Sequence, residues 1–137
     1  MDNIQIIYPI LPIVALHFYA HIHLSFSTYR AIKSREVRYR YFQVYEGGAP
    51  GYLKAARDHY KNFTEQPILF YLLCVLLFVT ESVIALDIYL AWGYTLFKAI
   101  HSLIRFTSNY VPHRAKVFYV CYFILTAGWI RFIISLL

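Results

Sequence analysis

Four long apolar runs alternate with polar segments along the chain. A membrane-spanning helix needs about 20 mostly apolar residues, and the runs approach or exceed that length. They predict helices over residues 4–26, 53–80, 83–107 and 113–135. The polar segment 27–52 lies between the first two and predicts a basic loop that ends in a Gly- and Pro-rich turn. The pattern therefore predicts an all-α membrane protein, a bundle of four transmembrane helices that forms a single domain over residues 1–137.

The second predicted helix changes character along its length. Its first half, up to Gln66, is polar, and the half that begins at Pro67 is apolar. The apolar half alone is too short to cross a bilayer. We therefore expect the polar half to enter the membrane zone with its polar side chains facing protein.

Composition agrees with this class of protein. The chain is 60% hydrophobic and 15% charged, whereas soluble domains are about half apolar and a quarter charged. The net charge of +6 would suggest nucleic acid as a partner of a soluble protein. In a membrane protein, basic loops instead report orientation and meet anionic headgroups. We expect membrane lipids as partners and no nucleic acid.

Basic residues are concentrated in two places: the loop after the first predicted helix together with the start of the second, and the end of the third helix together with the start of the fourth. The turn between the second and third helices contains Glu81 and no cation. Cytoplasmic loops carry the excess of Lys and Arg. The distribution therefore predicts that the loop 27–52 is cytoplasmic and that both termini lie on the other side of the membrane.

Two stripes of polar residues run along the predicted second and third helices. Their spacing puts each stripe on one helix face. The stripes comprise Lys54, Asp58, Lys61, Asn62 and Glu65 in the second helix and Asp87, Tyr94, Lys98, His101 and Arg105 in the third. Ionisable groups at membrane depth are costly and mark functional candidates. The spacing leaves two interpretations open: a polar seam that binds helices together, or a ligand pocket.

Histidine and cysteine do not suggest further chemistry. His17 and His21 share a face of the first helix, but no metal-binding motif surrounds them, and we expect interhelical hydrogen bonds there. Cys74 and Cys121 lie within apolar runs and are interpreted as core residues. The sequence thus predicts no metal site.

Residues 56–67 resemble the helix-two signature of the MAPEG family, the membrane-associated proteins in eicosanoid and glutathione metabolism. The signature has a basic residue, then Asn, Glu and Pro, and the corresponding residues here are Lys61, Asn62, Glu65 and Pro67. A second match comprises Lys98, residues 101–104 and residues 112–114. This match is similar to the end of helix three and the start of helix four in the prostaglandin E synthase branch. The Gly-rich loop before the second helix looks like that of bacterial members.

The resemblance implies a homotrimer of four-helix protomers with glutathione bound between subunits. By position, it implies that Lys61, Asn62, Glu65 and His101 bind glutathione. Arg114 matches the helix-four Arg that stabilises the glutathione thiolate in catalytic members. A cation beside a thiol favours the nucleophilic thiolate. The bacterial character of the resemblance implies the bacterial inner membrane as the location.

The chain departs from the family pattern at three positions. Asp58 stands where catalytic members usually have Arg, Arg105 stands where the prostaglandin branch has Tyr, and Ala115 replaces a small hydroxyl residue. We interpret Asp58, Lys98 and Arg105 as a structural polar seam. An ion pair between Asp58 and Arg105 is a hypothesis that would close the glutathione pocket.

The sequence leaves the function open between two classes. One is a glutathione-dependent transferase or peroxidase that acts on lipophilic substrates. The other is a non-catalytic membrane subunit, in a homotrimer or a larger membrane complex, that keeps the fold for assembly or for binding an anionic lipid or cofactor. An ion or proton conductor is a weaker alternative, because four short spans without broken helices offer little gating machinery.

Overall fold

The computed structural model describes residues 2–137, and all regular structure in this part of the chain is helical. The helices are a 3-10 helix Asn3–Ile6, α1 Ile10–Lys33, α2 Tyr41–Val44, α3 Gly51–Val79, α4 Ala85–Phe106 and α5 Val111–Ser135. The prediction of an all-α protein is confirmed. The first α-helix begins later than the apolar run and continues beyond Phe26 to Lys33. Pro9 precedes its first residue, a place where the missing N–H leaves no hydrogen bond unmade.

Within residues 2–137, three helical segments are long and apolar enough to cross a membrane: Asn3–Lys33, Gly51–Val79 and Val111–Ser135. Helix α4 is not among them, and its burial pattern explains why. Its buried residues include Asp87, Thr95, Lys98, His101 and Ser102. These polar side chains lower its hydropathy, yet they face other helices rather than the outside. A fourth span therefore stays a prediction.

Helices α1 and α3 end in the same hydrogen-bonded motif. After α1, the N–H of Glu36 donates to the carbonyl of Ala31 at 3.0 Å, and Arg35 takes the left-handed conformation with φ 55°. After α3, the N–H of Ser82 donates to Leu77 at 3.3 Å, with Glu81 at φ 53°. This is the Schellman arrangement, which satisfies the free carbonyls of the last turn and usually uses Gly at the left-handed position.

Packing joins the helices mainly in two pairs, α1 with α3 and α4 with α5. One core of apolar side chains, including Phe63, Phe70 and Tyr94, unites the pairs. Helix α5 approaches α3 closely at Gly128, where an added Cβ would lie 2.8 Å from Leu73 Cδ2. Small residues at helix contacts allow such close approach.

The segment between α1 and α3 is ordered rather than loose. Residues 34–50, which we call the cap, fold over the adjoining ends of α1 and α3 around a second apolar cluster. The buried members of that cluster are Ala31, Val37, Tyr41 and Leu53. Arg57 of α3 anchors the cap, because its Nη1 donates to Tyr41 Oη at 2.9 Å and its guanidinium lies 5.1 Å from the Tyr45 ring centre.

Candidate functional site

A cleft of about 410 Å³ opens between α3 and α5. Its α3 wall is polar and carries Asn62, Glu65 and Gln66, and its α5 wall is aromatic and carries Phe118, Tyr122 and Trp129. Asn62, Glu65 and Gln66 share one face of α3 because their spacings of three and four residues match the helical repeat. A volume of this size lies within the range of about 300–1,000 Å³ that small-molecule sites occupy. The cleft can therefore hold a ligand with one polar side and one apolar side.

A buried lysine lies behind the polar wall. Lys98 of α4 is 1% exposed, and its Nζ donates to Gln66 Oε1 at 3.2 Å and to the Asn62 carbonyl at 3.4 Å. Among residues 2–137, no carboxylate lies within salt-bridge distance of this ammonium group. A buried cation that has only neutral acceptors is costly. Lys98 therefore holds the cleft wall in place and leaves positive charge beside it uncompensated.

Asn62 and Glu65 reach the cleft, whereas Lys61 does not. Asn62 is tied to its own helix by a bond from Nδ2 to the Asp58 carbonyl at 2.9 Å. Lys61 forms an exposed ion pair with Glu65 at 3.6 Å, with side chains 70% and 59% exposed respectively. The structure thus brings two of the four residues assigned to glutathione together in the cleft and places Lys61 at its edge.

His101 lies inside the bundle, next to the cleft but not in its wall. Its side chain is buried, and its ring centre is 6.1 Å from that of Phe118, a wall residue. The neighbouring Ser102 meets the buried His59 of α3, with 3.3 Å between Oγ and Nε2. His101 can therefore influence the cleft through Phe118, while His59 and Ser102 join α3 to α4.

Arg114, the residue matched to the thiolate-stabilising Arg, lies in the first turn of α5. Its Nη1 donates to Asn109 Oδ1 at 2.7 Å, and its side chain does not line the cleft. Phe118 follows four residues later, on the same face of the helix. Arg114 is thus one helical turn from the cleft and is held by the turn before α5.

The polar seam residues are arranged differently from the hypothesis. Asp58 is exposed, and its carboxylate lies 3.9 Å from Arg57 Nε. Arg105 is half-buried, and in the described chain its Nε has no hydrogen-bond partner. Within residues 2–137, no ion pair joins Asp58 to Arg105. The pair that would close the pocket is therefore not formed, because Asp58 turns outward beside Arg57.

Sequence reasoning missed two features. Gln66 lines the cleft and accepts from Lys98, but a single amide at a helix position gives no signal of this in the sequence. Asp87 forms an ion pair with Arg131 at the opposite end of the bundle, and Asp87 Oδ2 also accepts the Ile84 N–H at 2.8 Å. Arg131 is the one cation outside the two basic segments. A cation isolated in this way indicates a nearby acidic partner, so the sequence offered a signal for the ion pair with Asp87.

An all-helical chain with membrane-length helices and a polar cleft between two of them defines a class of helical membrane proteins. The model of the MAPEG family matches residues 10–134 of the 137 residues. No curated protein and no solved structure matches the chain. The chain belongs to the MAPEG family, as its helix-two signature predicted, and it is a membrane protein.

Proposed function

We propose that this chain is a glutathione-dependent transferase or peroxidase that acts on lipophilic substrates, and that glutathione binds in the cleft between α3 and α5. One observation carries the proposal. Asn62 and Glu65, the two residues that the family resemblance assigns to glutathione, line the same cleft as three aromatic side chains of α5. A peptide can use the polar wall while an apolar substrate meets the aromatic wall.

The charges around the cleft suit an anionic tripeptide. Glutathione supplies the thiol nucleophile when it is bound. Asn62 and Glu65 would orient its amide and amino groups, and the uncompensated charge of Lys98 would attract its carboxylates. Arg114 would stabilise the thiolate once its side chain leaves Asn109 and turns toward the cleft.

We propose assembly into a homotrimer, as the family resemblance implies, and the exposed charges of α3 support association between copies. Residues 67–79 are about 20 Å long, so about 10 Å of the polar half must lie within the hydrocarbon layer. Lys61 and Glu65 fall in that part and are exposed in the single chain. A neighbouring copy that covers them would remove charged groups from lipid. Native mass spectrometry in detergent tests this, since a monomer mass would oppose the trimer.

We also propose that α4 is the fourth span. Its 22 residues cover about 33 Å, enough to cross the hydrocarbon core. An even number of spans places both termini on one side, which the basic segments predict to be the non-cytoplasmic side of a bacterial inner membrane. Reporter fusions at each terminus test this orientation, and opposite signals from the two termini would exclude four spans.

A non-catalytic membrane subunit is the second candidate, and the position of Arg114 favours it. The guanidinium that should hold a thiolate is hydrogen-bonded to Asn109. Asp58 and Arg105 also stand where the family pattern has other residues. If Arg114 stays in this arrangement, the polar groups of α3 and α4 serve assembly or bind another anionic ligand.

Glutathione binding to the detergent-purified protein separates the two candidates. Calorimetry measures affinity, and ultraviolet difference absorption measures thiolate formation, on the wild type, Arg114→Ala and the control Lys116→Ala. Lys116 is an exposed cation two residues away, so the control makes the same charge change outside the site. An enzyme site predicts binding with thiolate formation that Arg114→Ala abolishes and Lys116→Ala retains. No saturable binding at millimolar glutathione would favour the non-catalytic subunit.

A further inference from the structure

The cap, residues 34–50, is a folded structure at the end of the bundle. Ala31, Val37 and Tyr41 form its buried centre together with Leu53 of α3. The Schellman motif at Arg35 turns the chain sharply away from α1. Arg57 of α3 bonds to Tyr41, the first residue of α2, and lies beside the ring of Tyr45 just after α2. The backbone that carries its outer side chains is therefore held in a defined arrangement.

That outer surface is strongly cationic. From Arg30, near the end of α1, to the end of the cap at residue 50, the chain has five cations, Arg30, Lys33, Arg35, Arg38 and Arg40, and two acids, Glu36 and Glu46. The five cationic residues are all exposed. Within residues 2–137 none of the five lies within 4.0 Å of a carboxylate. Glu36 instead accepts from Tyr52 Oη at 3.3 Å. Among the described residues neither acid forms an ion pair with these cations, so the cap and the adjoining end of α1 keep a net positive charge.

Exposed aromatic side chains lie among these cations. Tyr39 is 77% exposed, between Arg38 and Arg40, and Tyr29 lies 5.8 Å from the Lys33 ammonium group. Tyr side chains favour the headgroup level of a bilayer. The cap follows α1 and precedes α3, two helices long and apolar enough to span a membrane, so it lies at the membrane surface.

We propose that the cap binds anionic phospholipid headgroups, with Arg35, Arg38 and Arg40 contacting phosphate. Arg side chains pair with phosphate through two parallel hydrogen bonds. Clusters of four to eight cations beside a membrane helix attract anionic lipid. The chemistry of the surface, unpaired guanidinium groups interleaved with exposed tyrosines, matches headgroups better than an acidic protein. This proposal does not depend on whether the cleft binds glutathione.

Native mass spectrometry of the full chain in neutral detergent tests the proposal. Phosphatidylglycerol and phosphatidylcholine with identical acyl chains are titrated separately, and bound fractions give relative affinities. The wild type should prefer phosphatidylglycerol by about tenfold or more, because each cation near the surface contributes about fivefold. In Arg35→Gln/Arg38→Gln/Arg40→Gln the preference should fall to near one. Equal binding of both lipids by the wild type would overturn the proposal.

Charge-retaining variants provide the matched control. Arg35→Lys/Arg38→Lys/Arg40→Lys keeps the cations and should retain most of the phosphatidylglycerol preference. A preference that survives in the Gln variant would place the lipid site elsewhere and refute the assignment to the cap. Should the Gln variant fail to fold by circular dichroism, the wild type is measured at about 1 M salt instead. The Debye length there is about 3 Å, so the preference for phosphatidylglycerol must fall.

Inorganic phosphate and a single-stranded oligonucleotide serve as competitors. Displacement of the lipid by the oligonucleotide at a lower concentration than by inorganic phosphate, compared per phosphate group, would assign the surface to nucleic acid instead.

Discussion

The ion pair between Asp87 and Arg131 should contribute more to stability than any other charged contact in the described chain. The Asp87 side chain is 1% exposed and that of Arg131 is 15% exposed. Removal of one partner leaves the other charge buried, which costs about 3–5 kcal/mol. Arg131→Leu should therefore lower the free energy of unfolding by about that amount. Asp87→Asn/Arg131→Leu should cost only about 1–2 kcal/mol, because it removes both charges and keeps an oxygen to accept the Ile84 N–H.

Unfolding by dodecyl sulfate in mixed micelles, followed by circular dichroism, measures these differences. Lys116→Leu is the matched control, because it removes an exposed cation that forms no ion pair within the described residues and should cost less than about 0.5 kcal/mol. The diagnostic result is that the double variant is more stable than the single variant Arg131→Leu. If the double variant is the less stable of the two, or if Arg131→Leu costs no more than the control, the reasoning from buried charge is refuted.

Three further predictions follow from single positions. Lys98→Met should raise the melting temperature of the ligand-free protein, because it removes a buried charge that has only neutral acceptors. The same change should weaken glutathione binding by about tenfold or more. A calorimetric titration that shows unchanged affinity would contradict this second effect. Glu81→Gly should stabilise by about 0.5–1 kcal/mol in thermal unfolding, since Gly takes the left-handed conformation without strain, whereas Glu81→Ala should bring no gain. Gly128→Val should destabilise by about 1–3 kcal/mol through overpacking against Leu73, and Gly128→Val/Leu73→Ala should be more stable than Gly128→Val if this contact is the cause.

Much of the architecture follows from the hydrophobic pattern because the bilayer imposes a minimum helix length. The start of α1 did not follow from that pattern. Apolar residues continue through a 3-10 helix and a turn before Ile10, and hydropathy does not distinguish these from an α-helix. The end of α1 at Lys33 was missed for the opposite reason. The last turns of the helix are polar, yet Ser27 and Ala31 are buried there. Two buried positions within a polar segment give only a weak helical periodicity in the sequence.

The cleft shows a different limit of sequence reasoning. Asn62 and Glu65 share a helix face by spacing alone, so their joint presence in one wall was predictable. The aromatic wall opposite them was not predictable, because nothing in the spacing of Phe118, Tyr122 and Trp129 indicates which helix they face. Nor does the stripe on α4 identify the partners of its cations, for which carboxylates are the usual choice when a cation is buried. Lys98 instead donates to an amide oxygen and a backbone carbonyl.

That arrangement bears on how the site can work. The Asn62 carbonyl and the Gln66 side-chain oxygen both accept from Lys98 Nζ. Lys98 therefore fixes the wall that carries Asn62 and Gln66. A charge with no acidic partner is retained at a stability cost, and an anion in the adjoining cleft would offset that cost. The same residue thus joins the fold of α3 to the affinity of the cleft for an anionic ligand, which is why the stability and binding of Lys98→Met should change in opposite directions.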